Sequence, residues 1–127
     1  MRWLAVGALG CALGVAAGAF GAHALAARLE PKDLELWQTA ARYWMYSSLG
    51  LALVGLGGDR LSPASARAAG WLLLAGGLLF GLTVGGIALG APRILGAITP
   101  LGGISMICGF LALARGAWLG RSPSDRA

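Results

Sequence analysis

AAGWLLLAGGLLFGLTVGGIALGAP, residues Ala68–Pro92, decides the fold: it is a run of 25 residues without an ionisable side chain. At 1.5 Å per residue, about 20 helical residues cross a hydrocarbon layer of roughly 30 Å, so the run predicts one membrane-spanning helix. Three more charge-free runs surround it: Trp3–Ala22, Tyr43–Gly58 and Ile94–Ala114, of 20, 16 and 21 residues. Together the four runs fill about two thirds of the 127 residues. Only 12% of the chain is charged and 57% is hydrophobic, whereas a soluble domain carries about 25% charged residues. This balance excludes a soluble globular enzyme, a disulfide scaffold and a disordered tail, and it leaves no length for a separate soluble domain.

The joints between runs carry helix-end chemistry. Tyr43–Gly58 is short for a span, but Leu34, Leu36, Trp37, Ala40 and Ala41 extend it upstream. Glu30-Pro31-Lys32-Asp33 supplies a first-turn proline and an acid that complements the helix dipole. Gly57-Gly58 ends that helix, and Ser62-Pro63 offers an N-cap followed by an N1 proline. Gly90-Ala91-Pro92-Arg93 is so brief that the last two helices must form an antiparallel hairpin. The expected fold is all-α: an integral membrane four-helix bundle with an interfacial amphipathic stretch before helix two. It forms a single four-span domain over residues 1–127, with helices at about 3–24, 31–57, 63–90 and 93–115 and a flexible tail at 116–127. Met1-Arg2, the apolar run and Ala22-His23-Ala24 imitate a signal peptide, but a run of 20 exceeds a usual signal core, so a retained first helix is expected.

Charge and aromatic placement orient this model. Four spans put Trp3, Trp71 and Trp118 at one membrane face and Trp37, Tyr43 and Trp44 at the other, where amphipathic rings are preferred. Arg2, Arg60, Arg67, Arg115, Arg121 and Arg126 share the face of the termini, against Arg28, Lys32, Arg42 and Arg93 opposite. That bias points to termini in the cytoplasm of a bacterial inner (plasma) membrane. The net charge of +5 comes from singly scattered bases and forms no phosphate-binding stripe, so nucleic acid is not an expected partner.

Glycine supplies 22 residues. Since lipid is as apolar as leucine, helices in a bilayer associate through close backbone approach at small residues. Gly7, Gly10, Gly14, Gly18 and Gly21 all fall within about 60° of Gly7 on one helix face, and Gly77, Gly81 and Gly85 repeat the device in the third run. Helix one is expected to use its stripe against helix three or four within the bundle. Pro100, beside Thr99, Gly102 and Gly103, is expected to kink the last helix.

Few residues offer chemistry. The third and fourth runs hold no ionisable group except the Cys108 thiol, whereas pumps and ion-coupled transporters keep charge at membrane depth. No hydrolase, metalloprotease or nucleotide motif is present, so an enzyme is not expected. Cys11 and Cys108 read as free, buried, weakly polar residues. Taking Glu35 as reference, Gln38, Thr39, Arg42 and Tyr46 lie within about 60° of it and form one polar stripe. Gln38 bridges Glu35 and Arg42 by spacing. The stripe reads either as a solvated face or as a clamp for a lipid headgroup, anionic ligand or partner. His23 is expected to cap helix one or bond to this stripe. With Cys11 roughly 18 Å from it along a helix, no metal site and no cofactor are expected.

Gly18-Ala19-Phe20-Gly21-Ala22-His23, Leu29–Pro31, Thr39-Ala40-x-Arg42-Tyr43-x-Met45-Tyr46 and Gly96-Ala97-Ile98-Thr99-Pro100-Leu101-Gly102-Gly103 together resemble the YgdD/YwdK-like small integral membrane proteins, domain-of-unknown-function family 423. The resemblance implies a four-span inner-membrane protein and no established activity. Where that family usually has histidine after the Met-Tyr pair, this chain has Ser47, which argues against any mechanism needing two histidines. Two functional classes remain. One is a non-catalytic accessory or structural protein that packs with membrane lipids, a membrane-protein partner or further copies of itself. The other is a small transporter or permeability factor with a polar cavity near His23, Arg42 and Thr99.

Overall fold

The computed structural model of the protein describes residues 2–120 and residue 124. Arg121, Arg126 and half of the expected flexible tail at 116–127 lie outside the described residues, and its first three residues, 116–118, are helical, which corrects the expected helix end at 115. Among the described residues four α-helices run in sequence: α1 (Arg2–Phe20), α2 (Pro31–Gly57), α3 (Pro63–Ala88) and α4 (Thr99–Trp118). A π-helical turn, Gly21–Leu25, extends α1. Three helical segments, Arg2–Leu25, Pro63–Ala88 and Arg93–Trp118, are long and apolar enough to cross a membrane.

The ends are set by local chemistry. Pro31 and Pro63 occupy first-turn positions of α2 and α3, where no intrahelical N–H is lost. Ser62 stands at the N-cap of α3, yet its side chain makes no capping bond; its own N–H instead donates to Gly116 O across to α4 at 3.0 Å. At the far end of α3, Ala91 N–H reaches back to Gly86 O at 2.9 Å. Gly90 takes φ +105° there, a left-handed conformation that glycine enters without a Cβ penalty.

Helix four begins later than its charge-free run suggests. Residues Arg93–Ala97 form a 3-10 turn, and α4 starts at Thr99 and continues to Trp118. Pro100 therefore lies in the first turn of α4, where its missing N–H would have had no partner. It starts the helix and does not kink it.

Each helix packs on its chain neighbour, and α2 lies between α1 and α3. The expectation that helix one packs on helix three or four is thereby corrected. A Cβ on Gly7 would sit 2.6 Å from Ser48 O and 2.9 Å from Ala52 Cα, and one on Gly55 2.7 Å from Leu4 Cα. These are backbone-to-backbone approaches, achieved because small residues face each other on both helices. Helix α1 still touches α3 at one end, where the Trp3 ring lies over Gly70 and meets Trp71 edge-on at 5.3 Å.

The other face of α2 meets α3. Gly77 leaves room for Ser47, and Gly81 for Trp44. Leu51, Val54, Ala69 and Leu73 form the buried cluster between these helices. Against α4, Gly76 and Gly102 oppose each other, with Gly76 O 3.1 Å from a Cβ placed on Gly102.

Polar side chains fasten the interfaces. Ser47 Oγ donates to Leu73 O, Ser105 Oγ to Leu72 O at 2.8 Å, and the Thr83 and Thr99 hydroxyls bond each other at 2.8 Å. In an apolar medium each such group needs a partner, and crossing to the next helix makes it adhesive. Trp44 does the same and corrects its expected place in an aromatic belt: its indole N–H donates to Gly10 O at 2.8 Å. Gly10 lies about 12 Å along α1 from Arg2.

Candidate functional site

The outward face of α2 changes character along its length. Glu35, Arg42, Tyr46, Leu49, Leu53 and Leu56 are all exposed and fall within about 40° of Arg42 at 100° per residue. The first half of this stripe is polar and the second half is leucine.

Beside the polar half, α1 and α2 leave a groove lined by Gly14, Gly18, Gln38, Ala41, Arg42, Met45 and Tyr46. The contacts of Gly7 and Gly55 fix the antiparallel register, which puts Arg42 about level with Ala16. That is roughly 9 Å inward of Ala22, the last residue of the charge-free run of α1. A Cβ on Gly18 would meet no atom within 4 Å, so this glycine leaves a notch next to Arg42.

Arg42 has no hydrogen-bonding or ionic partner among the described residues. The ion pair present, Arg93–Asp33 at 3.5 Å, uses the carboxylate of Asp33. Glu35 is two turns from Arg42, and Gln38 bonds to neither, so the expected Gln38 bridge is not formed. Gln38 and Trp37 instead lean towards α1 over Gly21.

The other candidate residues lie apart. His23 is exposed within the π turn and forms no cap or bond to the stripe among the described residues, contrary to expectation. Thr39 is half-buried and outside the Arg42 groove. Thr99 pairs with Thr83 between α3 and α4, and Pro100 is exposed beside it. The structure thus brings together Gln38, Arg42 and Tyr46 with Gly14 and Gly18, and separates them from His23, Thr99 and Pro100.

Of the stripe glycines, Gly7, Gly10 and Gly14 face α2, and Gly77 and Gly81 face it from α3. Gly85 makes only ordinary contacts, with Ala40 3.7 Å from its notional Cβ. Cys11 and Cys108 are free, but Cys108 is exposed and not buried as expected.

Two tryptophans expected in the aromatic belt, Trp37 and Trp44, tie α1 to α2. Trp37 Nε1 donates to Ala17 O at 2.8 Å, one heptad from the bond of Trp44 to Gly10. The i,i+7 repeat of tryptophan on α2 was the available signal, since both indoles then share one face. Ser47 is 2% exposed; it is an interhelical packing residue against Gly77, not part of the outward stripe.

A family model described as "Protein of unknown function (DUF423)" matches residues 17–103. A UPF0382 membrane protein of Staphylococcus epidermidis is 42% identical over 111 residues, covering 87% of this chain and 90% of that protein. The UPF0382 membrane protein YwdK of Bacillus subtilis is 40% identical over 112 residues, covering 87% and 91%. Another from Staphylococcus saprophyticus is 40% identical over 116 residues, covering 91% and 96%. No solved structure matches.

Proposed function

The chain belongs to the DUF423 family of membrane proteins, and from that premise we propose that it is a non-catalytic accessory or structural protein of the bacterial inner (plasma) membrane. In this reading all four helices span the bilayer, both termini are cytoplasmic, and the bundle packs with lipid, a membrane-protein partner or further copies of itself. The relatives are bacterial membrane proteins. Six basic residues on the side of the termini against four opposite support the orientation.

The observation that carries the reading is how the interior hydroxyls are used. Ser47, Thr83, Thr99 and Ser105 each bond across to a neighbouring helix. They hold helices together where a transport path would need them facing water. The polar cavity required by the transporter reading has no support here, because the groove lined by Arg42 contains neither His23 nor Thr99.

Cysteine accessibility tests the reading. With Cys11 and Cys108 replaced by alanine, single cysteines at Ser47 or Thr83 should resist a membrane-impermeant maleimide in vesicles from both sides. A cysteine at Asp59, in the exposed turn after α2, should react. Labelling at Ser47 or Thr83 would reveal a water path and favour the transporter.

A further inference from the structure

We propose that the groove between α1 and α2 holds the phosphate headgroup of an anionic phospholipid, with Arg42 as its counter-charge and Gly18 as its notch. This rests on the lipid-packing reading above and narrows it to one lipid class at one place.

The argument begins with charge. Arg42 is exposed and without a protein counter-charge among the described residues, and its backbone lies about 9 Å inward of the end of α1's apolar run. A guanidinium at such depth is costly unless it snorkels outwards or draws an anion towards it. The neighbouring acids do not meet the need: Asp33 is held by Arg93, and Glu35 lies roughly 10 Å away along the helix. An anion drawn to Arg42 therefore comes from outside the described protein, and in a bilayer the abundant anion is the lipid phosphate. A planar guanidinium binds phosphate through paired N–H donors, and Gln38 and Tyr46, one turn before and one turn after Arg42, line the same groove.

The second argument is the order of groups along the stripe. Moving inward from the Pro31 end, the outward face presents Glu35, then Arg42 and Tyr46, and after them Leu49, Leu53 and Leu56. Arginine, phenol and leucine succeed one another as phosphate, glycerol ester and acyl chain do in a phospholipid lying along the helix. The open space at Gly18 lies beside the headgroup end, where bulk has to fit. Charge complementarity and this lengthwise match select a lipid over a soluble anion, which would have no use for the leucines.

The test uses the full chain in mixed micelles containing equimolar phosphatidylglycerol and phosphatidylcholine, with retained lipid read by native mass spectrometry. Wild type should retain phosphatidylglycerol preferentially. One basic residue near a membrane surface contributes about a fivefold preference for anionic lipid, so Arg42→Gln should reduce the ratio of the two adducts by about that factor. Gly18→Val should lower total lipid retention while circular dichroism remains unchanged. An unaltered ratio in Arg42→Gln, equal retention of both lipids by wild type, or displacement of phosphatidylglycerol by millimolar inorganic phosphate would each overturn the proposal. None of these results changes the cysteine protection expected at Ser47 and Thr83, so failure here is distinct from failure of the accessory reading.

Discussion

Gly7→Ala and Gly18→Ala change the same helix by the same methyl group and should have opposite effects. At Gly7 the new Cβ would lie 2.6 Å from Ser48 O and 2.9 Å from Ala52 Cα. Ordinary contact begins near 3.4 Å, and both obstacles are α2 backbone, which cannot rotate away. The helices must therefore part by about 0.8 Å, and a gap of that size forfeits about a quarter to a half of each dispersion contact. Overpacking of this kind costs about 1–3 kcal/mol. Weakening of the nearby Trp44–Gly10 bond adds about 0.5–1 kcal/mol, giving a total near 3 kcal/mol. At Gly18 nothing lies within 4 Å, so alanine should be neutral or add up to about 1 kcal/mol through helix propensity. Reversible unfolding in mixed detergent micelles, followed by circular dichroism and tryptophan fluorescence, measures both variants. Equal stability of the two would refute the claim that α1 and α2 meet backbone to backbone.

Trp44→Phe should lose about 1 kcal/mol in the same assay, because it removes an indole donor from Gly10 O and keeps most of the ring. Ser47→Ala should cost a similar amount, whereas Ser47→Val should cost more, since Gly77 leaves it no extra room; equal effects would contradict the packing at Gly77. A double-mutant cycle with Thr83→Val and Thr99→Val should give a coupling of about 0.6 kcal/mol and not beyond about 1.7. Pro100→Ala should change stability by less than about 0.5 kcal/mol, as expected for an exposed first-turn position. A larger gain would mean that the proline interrupts a continuous helix.

The spans were legible because a bilayer demands one thing of a helix, about 20 apolar residues, and that demand is written without reference to other helices. Prolines at helix starts and glycines at helix ends were legible for the same reason, being local. The partner of the α1 glycines was not, because a small-residue stripe states that something comes close without saying what. The answer depended on Ser48, Ala52 and Gly55 of α2, a row in which serine and alanine mask the pattern. Pro100 misled because a charge-free run does not mark where within it the helix begins; the 3-10 turn at Arg93–Ala97 placed that start five or six residues later.

Helix two shows that a helix of reduced hydropathy can still be well packed. It is absent from the segments apolar enough to span, yet like α3 it is packed on two sides, with Ser47, Ser48, Leu51 and Val54 each buried to 3% exposure or less. In water, enclosure would demand apolar side chains; in lipid it relaxes that demand. A helix surrounded by other helices can satisfy serine and tryptophan donors on their backbones, as Ser47 does on Leu73 and Trp44 on Gly10. A helix facing lipid on most sides has no such partners and must be apolar throughout. Helix α3 is enclosed on two sides as well and stays apolar, so enclosure permits the serines and tryptophans of α2 without requiring them, and the charges that lower its hydropathy, Lys32, Asp33, Glu35 and Arg42, stand on its first half away from the buried faces. On its outward stripe Arg42 is exposed and has no partner among the described residues. Interhelical bonding explains the polarity of the other faces of α2 and leaves this charge unexplained, and for that reason the lipid headgroup test is directed at Arg42.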